Sequence, residues 1–433
     1  MTISSSLNAG VAGLNANAAR LAAISDNIAN SATYGYRRAT TDFHAMVINS
    51  GTGGYTAGGV AVTSSRLVDR GGSLISTTNA TDLAIAGRGM LPVTSYAAVN
   101  NMSGNYPLML MPTGSFRPDA EGVLRTDTGL VLLGWPLDSD GALPQVPRDT
   151  SAALMPVRVA MNEYAGAPTT RVEVGVNLPA TSTIAGAAGQ IEGLAVEYFG
   201  NLGNSEALSI SYEPTVPATG SSNTWTMTIR DSASGGAIVG EFTLTFDDTR
   251  GGGGRLDSVT ALSGGTYDAA TGELVINVAG GPMNLAIGRI GQTGGMSQLG
   301  DSFAPLIIAK DGYAVGTLTG VEVNDSGIVY ALYSNGSSRP IFQVPVADVP
   351  NPNGLRAVDG GAFTVTNASG GFYLWDAGDG PTGSMRGYAR QESATDVAGE
   401  LTQLIQTQRA YSSNAKVIQT VDEMLQETTN IKR

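Results

Sequence analysis

Residues 397–425 read VAGELTQLIQTQRAYSSNAKVIQTVDEML, and this stretch decides the fold. Stepping alternately four and three residues from Val397 lands on Leu401, Leu404, Gln408, Tyr411, Ala415, Ile418, Asp422 and Leu425. That is a heptad-like stripe with polar interruptions, the mark of a helix that needs a partner helix. Ser393 followed by Asp396 has the form of a capping box with Asp in place of Glu. From there to Asn430 the helix would run about 57 Å at roughly 1.5 Å per residue.

The same count near the N-terminus gives Leu7, Val11, Leu14, Ala18, Leu21, Ser25 and Ile28, and the serines at 4–6 offer caps. Gly35, after Asn30 and Tyr34, is the expected stop. Gly10 and Gly13 weaken this helix by about 1 kcal/mol each relative to Ala. Nothing between the two ends has a comparable helical pattern. The ends are expected to pack on each other, on copies of themselves, or both.

Composition narrows the function classes. The chain has 433 residues, enough for two to four domains. Charged residues make up only 14% and Gly numbers 58, a balance that favours strands and turns. The formal net charge of −13 argues against nucleic acid as a partner. The absence of Cys removes disulfides, thiolate catalysis and Cys-ligated metals, and a single His, His44, cannot build a His-rich site. No apolar run is long enough to insert in a membrane as a helix, and residues 1–30 lack the form of a cleaved secretory signal.

The middle reads as all-β. Alternating runs occur at Val172, Val174, Val176 and Leu178; at Trp225, Met227 and Ile229; at Phe242, Leu244 and Phe246; and at Leu274, Ile276 and Val278. Turn signals punctuate them, the best hairpin signal being Asn335-Gly336 after the run 329–333. Every Pro lies between Pro92 and Pro381. Composition shifts near 144–156 and 291–300 suggest a nested layout. The expected divisions are a terminal helical assembly domain of 1–35 and 393–433, a connector at 36–70, a discontinuous β-domain of 71–145 and 295–392, and an inserted outer β-domain at 146–294. The fold class is multi-domain α+β.

A search for chemistry finds little. The glycines at 251–254 precede Arg255 and Leu256 rather than the Lys-Ser/Thr of a phosphate loop. Asp138-Ser139-Asp140-Gly141 begins like a calcium loop but lacks the closing Glu, and reads as a turn. The Asn-x-Ser/Thr triplets at Asn79, Asn101, Asn335 and Asn367 are frequent by chance in such a composition. No enzyme activity, cofactor or metal is expected. The helical stripes, by contrast, are narrow and interrupted by Ser25, Gln408 and Asp422, so the pair is marginal alone and points to self-assembly.

The motifs then resemble a known family. ISDNIANSATYGY (24–36) is similar to the Asn-rich N-terminal signature of the bacterial flagellar axial proteins of rod, hook and hook-filament junction. LIQTQRAYSSNAKVIQTVDEML (404–425) resembles their C-terminal signature. TDLAIAGRGML (81–91) and GSFRPDAEGVLRTDTGLVLLGW (114–135) look like the first β-block, with Met90-Leu91 where two aromatics often stand. DGYAVGTL (311–318), YSNG (333–336) and NPNGL (351–355) make the hook type the best fit, while 180–290 matches nothing in the family.

The resemblance implies a structural subunit, exported through the flagellar type III apparatus without a cleaved signal peptide to the cell exterior. It would assemble into a curved, flexible tube that links rod to filament and transmits torque as a universal joint. The distal rod protein, a hook cap and a junction protein would be its partners. It places Leu7, Val11, Leu14, Leu21, Asn27, Ile28 and Asn30 at an assembly interface with Val397, Leu401, Leu404, Gln408, Tyr411, Ile418 and Leu425. The alternatives are a distal rod protein of the same family and a secreted β-rich adhesin with a helical oligomerisation stalk.

Overall fold

The computed structural model describes residues 3–46, 58–101, 106–138, 141–161 and 164–431. Ser139 and Asp140 of the expected turn, the residues after Asn101 in its triplet, and 47–57 of the connector lie outside them.

The first element is helix α1 (Ile3–Ala29). It ends before Gly35, because the Asn30 side chain turns back and donates to the Asp26 carbonyl at 2.9 Å. Gly35 has a different use. At φ 71° its N–H donates to the Gln391 carbonyl at 2.8 Å, and a Cβ there would meet Thr113 Cγ2 at 2.9 Å.

The connector is more ordered than its composition suggests. Strands β1 (Ala39–Ala45) and β2 (Val60–Arg66) form an antiparallel hairpin, in register from Ala39 opposite Arg66 to Ala45 opposite Val60. Both strands pack along α1.

The chain divides into two compact units. The first comprises 1–161, 320–332 and 338–433. Its central strand is Leu130–Pro136, whose LVLLGW run is buried throughout, as an apolar run without alternation requires. Leu91–Ser95 and Ser338–Gln343 both pair with it antiparallel, Leu132 standing opposite Val93 and Trp135 opposite Gln343. Helix α2 (Tyr96–Asn100) follows directly, capped by Ser95, whose Oγ accepts from the Ala98 N–H. Trp135, Leu133, Leu110, Phe363, Leu374 and Met90 form one core cluster. Met90 thus serves as the hydrophobic anchor of the GRGML motif.

The second unit spans 162–319 with 333–337. A five-stranded antiparallel meander runs from Glu192–Phe199 to Leu256–Ser263, each strand bonded to the next. A mixed sheet is built around Arg171–Leu178, which pairs parallel with Gly281–Ala286 and antiparallel with Ala304–Lys310. All four alternating runs named above point into one core shared by the two sheets, including Val174, Trp225, Met227, Phe242 and Leu274. This unit starts and ends later than the 146–294 expected from composition. Met155–Pro156 pairs with Leu133–Gly134, which holds that segment in the first unit. Ala304–Lys310 is needed to complete the mixed sheet of the second.

Asp231 is the one fully buried acid among the described residues of this unit. It accepts from the Tyr198 hydroxyl and Ser234 Oγ, both at 2.6 Å, and from the N–H groups of Ala279 at 3.0 Å and Ala233 at 3.1 Å. Burial pushes the carboxyl up, but the Ser234, Tyr198, Ala279 and Ala233 donors together hold it below its ordinary value. Its folded value is therefore depressed, and its contribution is present above the unfolded value and lost as pH falls through the folded one. Asp231→Ala is expected to destabilise this unit by about 3–5 kcal/mol, since buried donors lose their acceptor. Asp231→Asn should flatten the acid limb of its stability profile. Chemical denaturation of the two variants across pH checks both.

Candidate assembly interface

The C-terminal helix, α3 (Val397–Ile431), is capped by Asp396, whose Oδ1 accepts from the Ala398 N–H at 3.1 Å. The cap therefore falls three residues after Ser393, whose Oγ accepts instead from the Thr395 N–H at 3.3 Å. Helix α3 lies antiparallel along α1. Gly10 faces Ile418, Gly13 faces Asn414, and Arg38, beyond the end of α1, reaches back to Glu400.

The two glycines make the close approach possible. A Cβ at Gly10 would lie 3.1 Å from Ile418 Cγ1, and one at Gly13 only 2.8 Å from Asn414 Nδ2. Their cost in helix propensity is thus offset by contact that a larger residue would prevent. The inner seam of α3 is Glu400, Thr407 and Val421, all buried, with Leu404, Asn414, Ala415 and Ile418 half-buried. Glu400 is 1% exposed and receives Arg38 Nε at 2.5 Å. Thr407 satisfies itself on the Gln403 carbonyl at 2.7 Å.

The expected stripe is therefore split. Leu404 and Ile418 turn toward α1, whereas Val397, Leu401, Gln408, Tyr411 and Leu425 are exposed. On α1, Leu7, Leu14, Leu21 and Ile28 are half-buried and Val11 is exposed, while Ala16, Asn17 and Ile24 are buried. Apolar counting missed the seam because one of its lines, Glu400, Thr407, Asn414 and Val421, is mostly polar. Its seven-residue spacing and the Gly10-x-x-Gly13 pattern were the available signals.

The Asn-rich signature closes the other end of α1. Asn27, fully buried, donates from Nδ2 to the Ala39 carbonyl at 2.9 Å and accepts from the Ala39 N–H at 2.8 Å. Its amide acts as an extra rung at the start of β1. Asn30 Nδ2 also meets Asp26 Oδ1 at 2.9 Å. Asp26 Oδ2 accepts from the Tyr36 hydroxyl at 2.9 Å and pairs with Arg66 at 3.1 Å, and the Arg66 guanidinium lies 5.0 Å from the Tyr36 ring centre. Burial, then the Asp26 hydrogen bond, pushes the Tyr36 phenol up to about 12. Asn27 and Asn30 are spent within the chain, fixing the hairpin to the helix.

Beyond the hairpin, Asn353 of the NPNGL segment accepts from the N–H of Val68 at 2.7 Å and of Asp69 at 3.1 Å. Arg88 of the GRGML motif pairs with Asp348 at 2.7 Å and donates to the Val349 carbonyl at 2.8 Å. These two family-like motifs thus each secure a loop in the first unit.

Two long helices from opposite ends of the chain, joined by a hairpin to nested β-units, define a structural subunit of the flagellar axial type. Residues 7–37 match the family model described as flagella basal body rod protein, and 387–431 match flagellar basal body rod FlgEFG protein C-terminal. The flagellar hook protein FlgE of Rhizobium meliloti is 32% identical over the whole of both chains, as is that of Brucella suis. That of Salmonella typhimurium is 28% identical over 99% of this chain and 100% of its own. The crystal structure of Helicobacter pylori flagellar hook protein FlgE2 aligns with 72% of this chain and 99% of its own, at 13% identity and a TM-score of 0.48. The chain belongs to the flagellar hook protein FlgE family.

Proposed function

We propose that this chain polymerises through α1 and α3 into the bent tube of the bacterial flagellar hook, joining rod to filament and carrying torque as a universal joint. The observation that carries this reading is the apolar surface left on α3. Ile405 is 52% exposed and Met424 53%, with Leu401, Val417 and Leu425 also exposed along a 35-residue helix. A helix that satisfies one neighbour with a partly polar seam keeps further apolar side chains for others. The tube wall is then made of copies of this helix pair, with the β-units outside it.

Bending follows from the same economy. Subunits must shorten and lengthen their contacts once per revolution, which weak replaceable contacts permit and tight hot spots would resist. Assembly beneath a cap, between the distal rod protein and a junction protein, and export through the flagellar type III apparatus complete the reading. No catalytic role is assigned to any residue. The test is complementation of a strain lacking its own hook protein, followed by electron microscopy of the isolated hook–basal bodies. Curved tubes are the expected result; straight, stiff ones would favour a rod protein instead.

A further inference from the structure

The connector carries two adjacent arginines, and among the described residues only Arg38 has a hydrogen-bonded partner for its guanidinium. Arg38 meets Glu400. Arg37 is 6% exposed, its Nε is buried without an acceptor, and its guanidinium donates no hydrogen bond among the described residues. Burial drags it from its ordinary value down to about 10, and Asp69, which makes no ion pair with it among the described residues, offsets only part of that cost. Beside it Gln391, 7% exposed, has a buried Oε1 without a donor. Gly71 presses against both, since a Cβ there would lie 2.5 Å from Arg37 Nη1 and 2.4 Å from Gln391 Nε2. Neither side chain hydrogen-bonds the other among the described residues, so a donor and an acceptor are both left open there.

These side chains wall a cavity of about 430 Å³ whose apolar surface includes Met90, Leu110 and Leu355. An unpaired buried guanidinium is strongly destabilising unless an anion arrives to meet it. Arg88, already paired with Asp348, and Asp69 line the same cavity, while Met90, Leu110 and Leu355 can flank the methylene stem of a carboxylate side chain. Such groups are the surplus on this chain's own surface, with 37 Asp and Glu against 24 Lys and Arg. In a polymer of identical subunits, the anion at hand is a neighbour's.

We infer that the Arg37 cavity receives an acidic side chain, Asp or Glu, from a second copy of this chain. Arg37 thus makes a bidentate carboxylate contact that exists only in the assembled state. This rests on the self-assembly reading above, and wild-type polymerisation is the control that separates the two. If the wild type fails to polymerise, that reading fails. If the wild type polymerises and the variants below do so equally well, the cavity assignment alone fails.

The experiment compares wild type, Arg37→Met and Arg37→Lys in the full chain. Because Arg37→Met removes an uncompensated charge, the melting temperature of its monomer should be unchanged or higher. Its critical concentration for polymerisation should rise at least about tenfold, the equivalent of about 1.4 kcal/mol. Arg37→Lys should fall between, keeping charge but losing the fork. Glutarate, used as the probe, should raise the melting temperature of wild-type monomer above that in chloride at equal ionic strength, with no such rise for Arg37→Met. Three results would overturn the inference. One is an unchanged critical concentration for Arg37→Met. Another is a monomer destabilised as much as the polymer, which would make Arg37 an internal strut. The third is a glutarate response shared by Arg37→Met, or one confined to monomers whose assembly ignores the substitution.

Discussion

Removal of residues 400–433 is expected to abolish tube formation and to leave a soluble protein whose β-units melt as in the full chain. The expectation follows from where the cores lie. The cluster around Trp135 and the cluster around Trp225 contain no side chain from α1 or α3. The deletion removes Glu400, leaving Arg38 without its carboxylate, and strips α1 of Ile418 and Asn414. A 27-residue helix with two interior glycines, left with only the β1–β2 hairpin along one flank, should then be largely unfolded in water. Circular dichroism should therefore lose the signal of both helices, although only one was deleted. Sedimentation should find monomers, and tubes formed by the truncated chain would refute the assignment of assembly to the ends.

The second large effect is expected from Gly13→Leu. Replacing Gly improves helix propensity by about 1 kcal/mol, which taken alone would stabilise α1. The new side chain, however, must occupy the place where Asn414 Nδ2 already stands 2.8 Å from the Cβ position. Overpacking at such a site costs about 1–3 kcal/mol, and neither helix can yield without losing its neighbour contacts. Every subunit carries the same fault, so the polymer should be lost while the β-units melt normally. Gly13→Ala combined with Asn414→Ala makes room for the methyl and should restore assembly. Polymerisation of Gly13→Leu at the wild-type concentration would show that the helices are not so closely apposed.

How much was legible beforehand depended on whether burial was written in apolar letters. The sandwich core was, because Val172, Val174, Val176 and Leu178 alternate as a half-buried strand must. The LVLLGW strand was too, buried on both faces and apolar at every position but its glycine. The helical seam was not. Glu400 is buried because Arg38, 362 residues earlier in sequence, neutralises it, and Asn414 fits because Gly13 offers no side chain. Neither fact is local, so counting leucines found Leu404 and Ile418 of the seam and otherwise picked out the exposed side of α3. Asn27 and Asn30 were correctly singled out as a signature, but the structure spends them on the turn and the hairpin. The β1–β2 hairpin itself left only a faint trace at Val60 and Val62, because β1 reads ATTDFHA.

The meeting of Gly13 with Asn414 also bears on when the subunit becomes competent. These residues are separated by almost the entire chain, so their contact can form only after nearly everything between them has been made. Loop closure alone costs little extra for a longer loop, about 0.6 kcal/mol per doubling, but both helices belong to the first unit, whose pairing of Leu74–Ser76 with Ala389–Gln391 brings the ends near each other. Contacts of such long range are the slowest to form. Pairing of the helices therefore requires the whole length of the chain. A chain that lacks its last residues presents no finished helix pair.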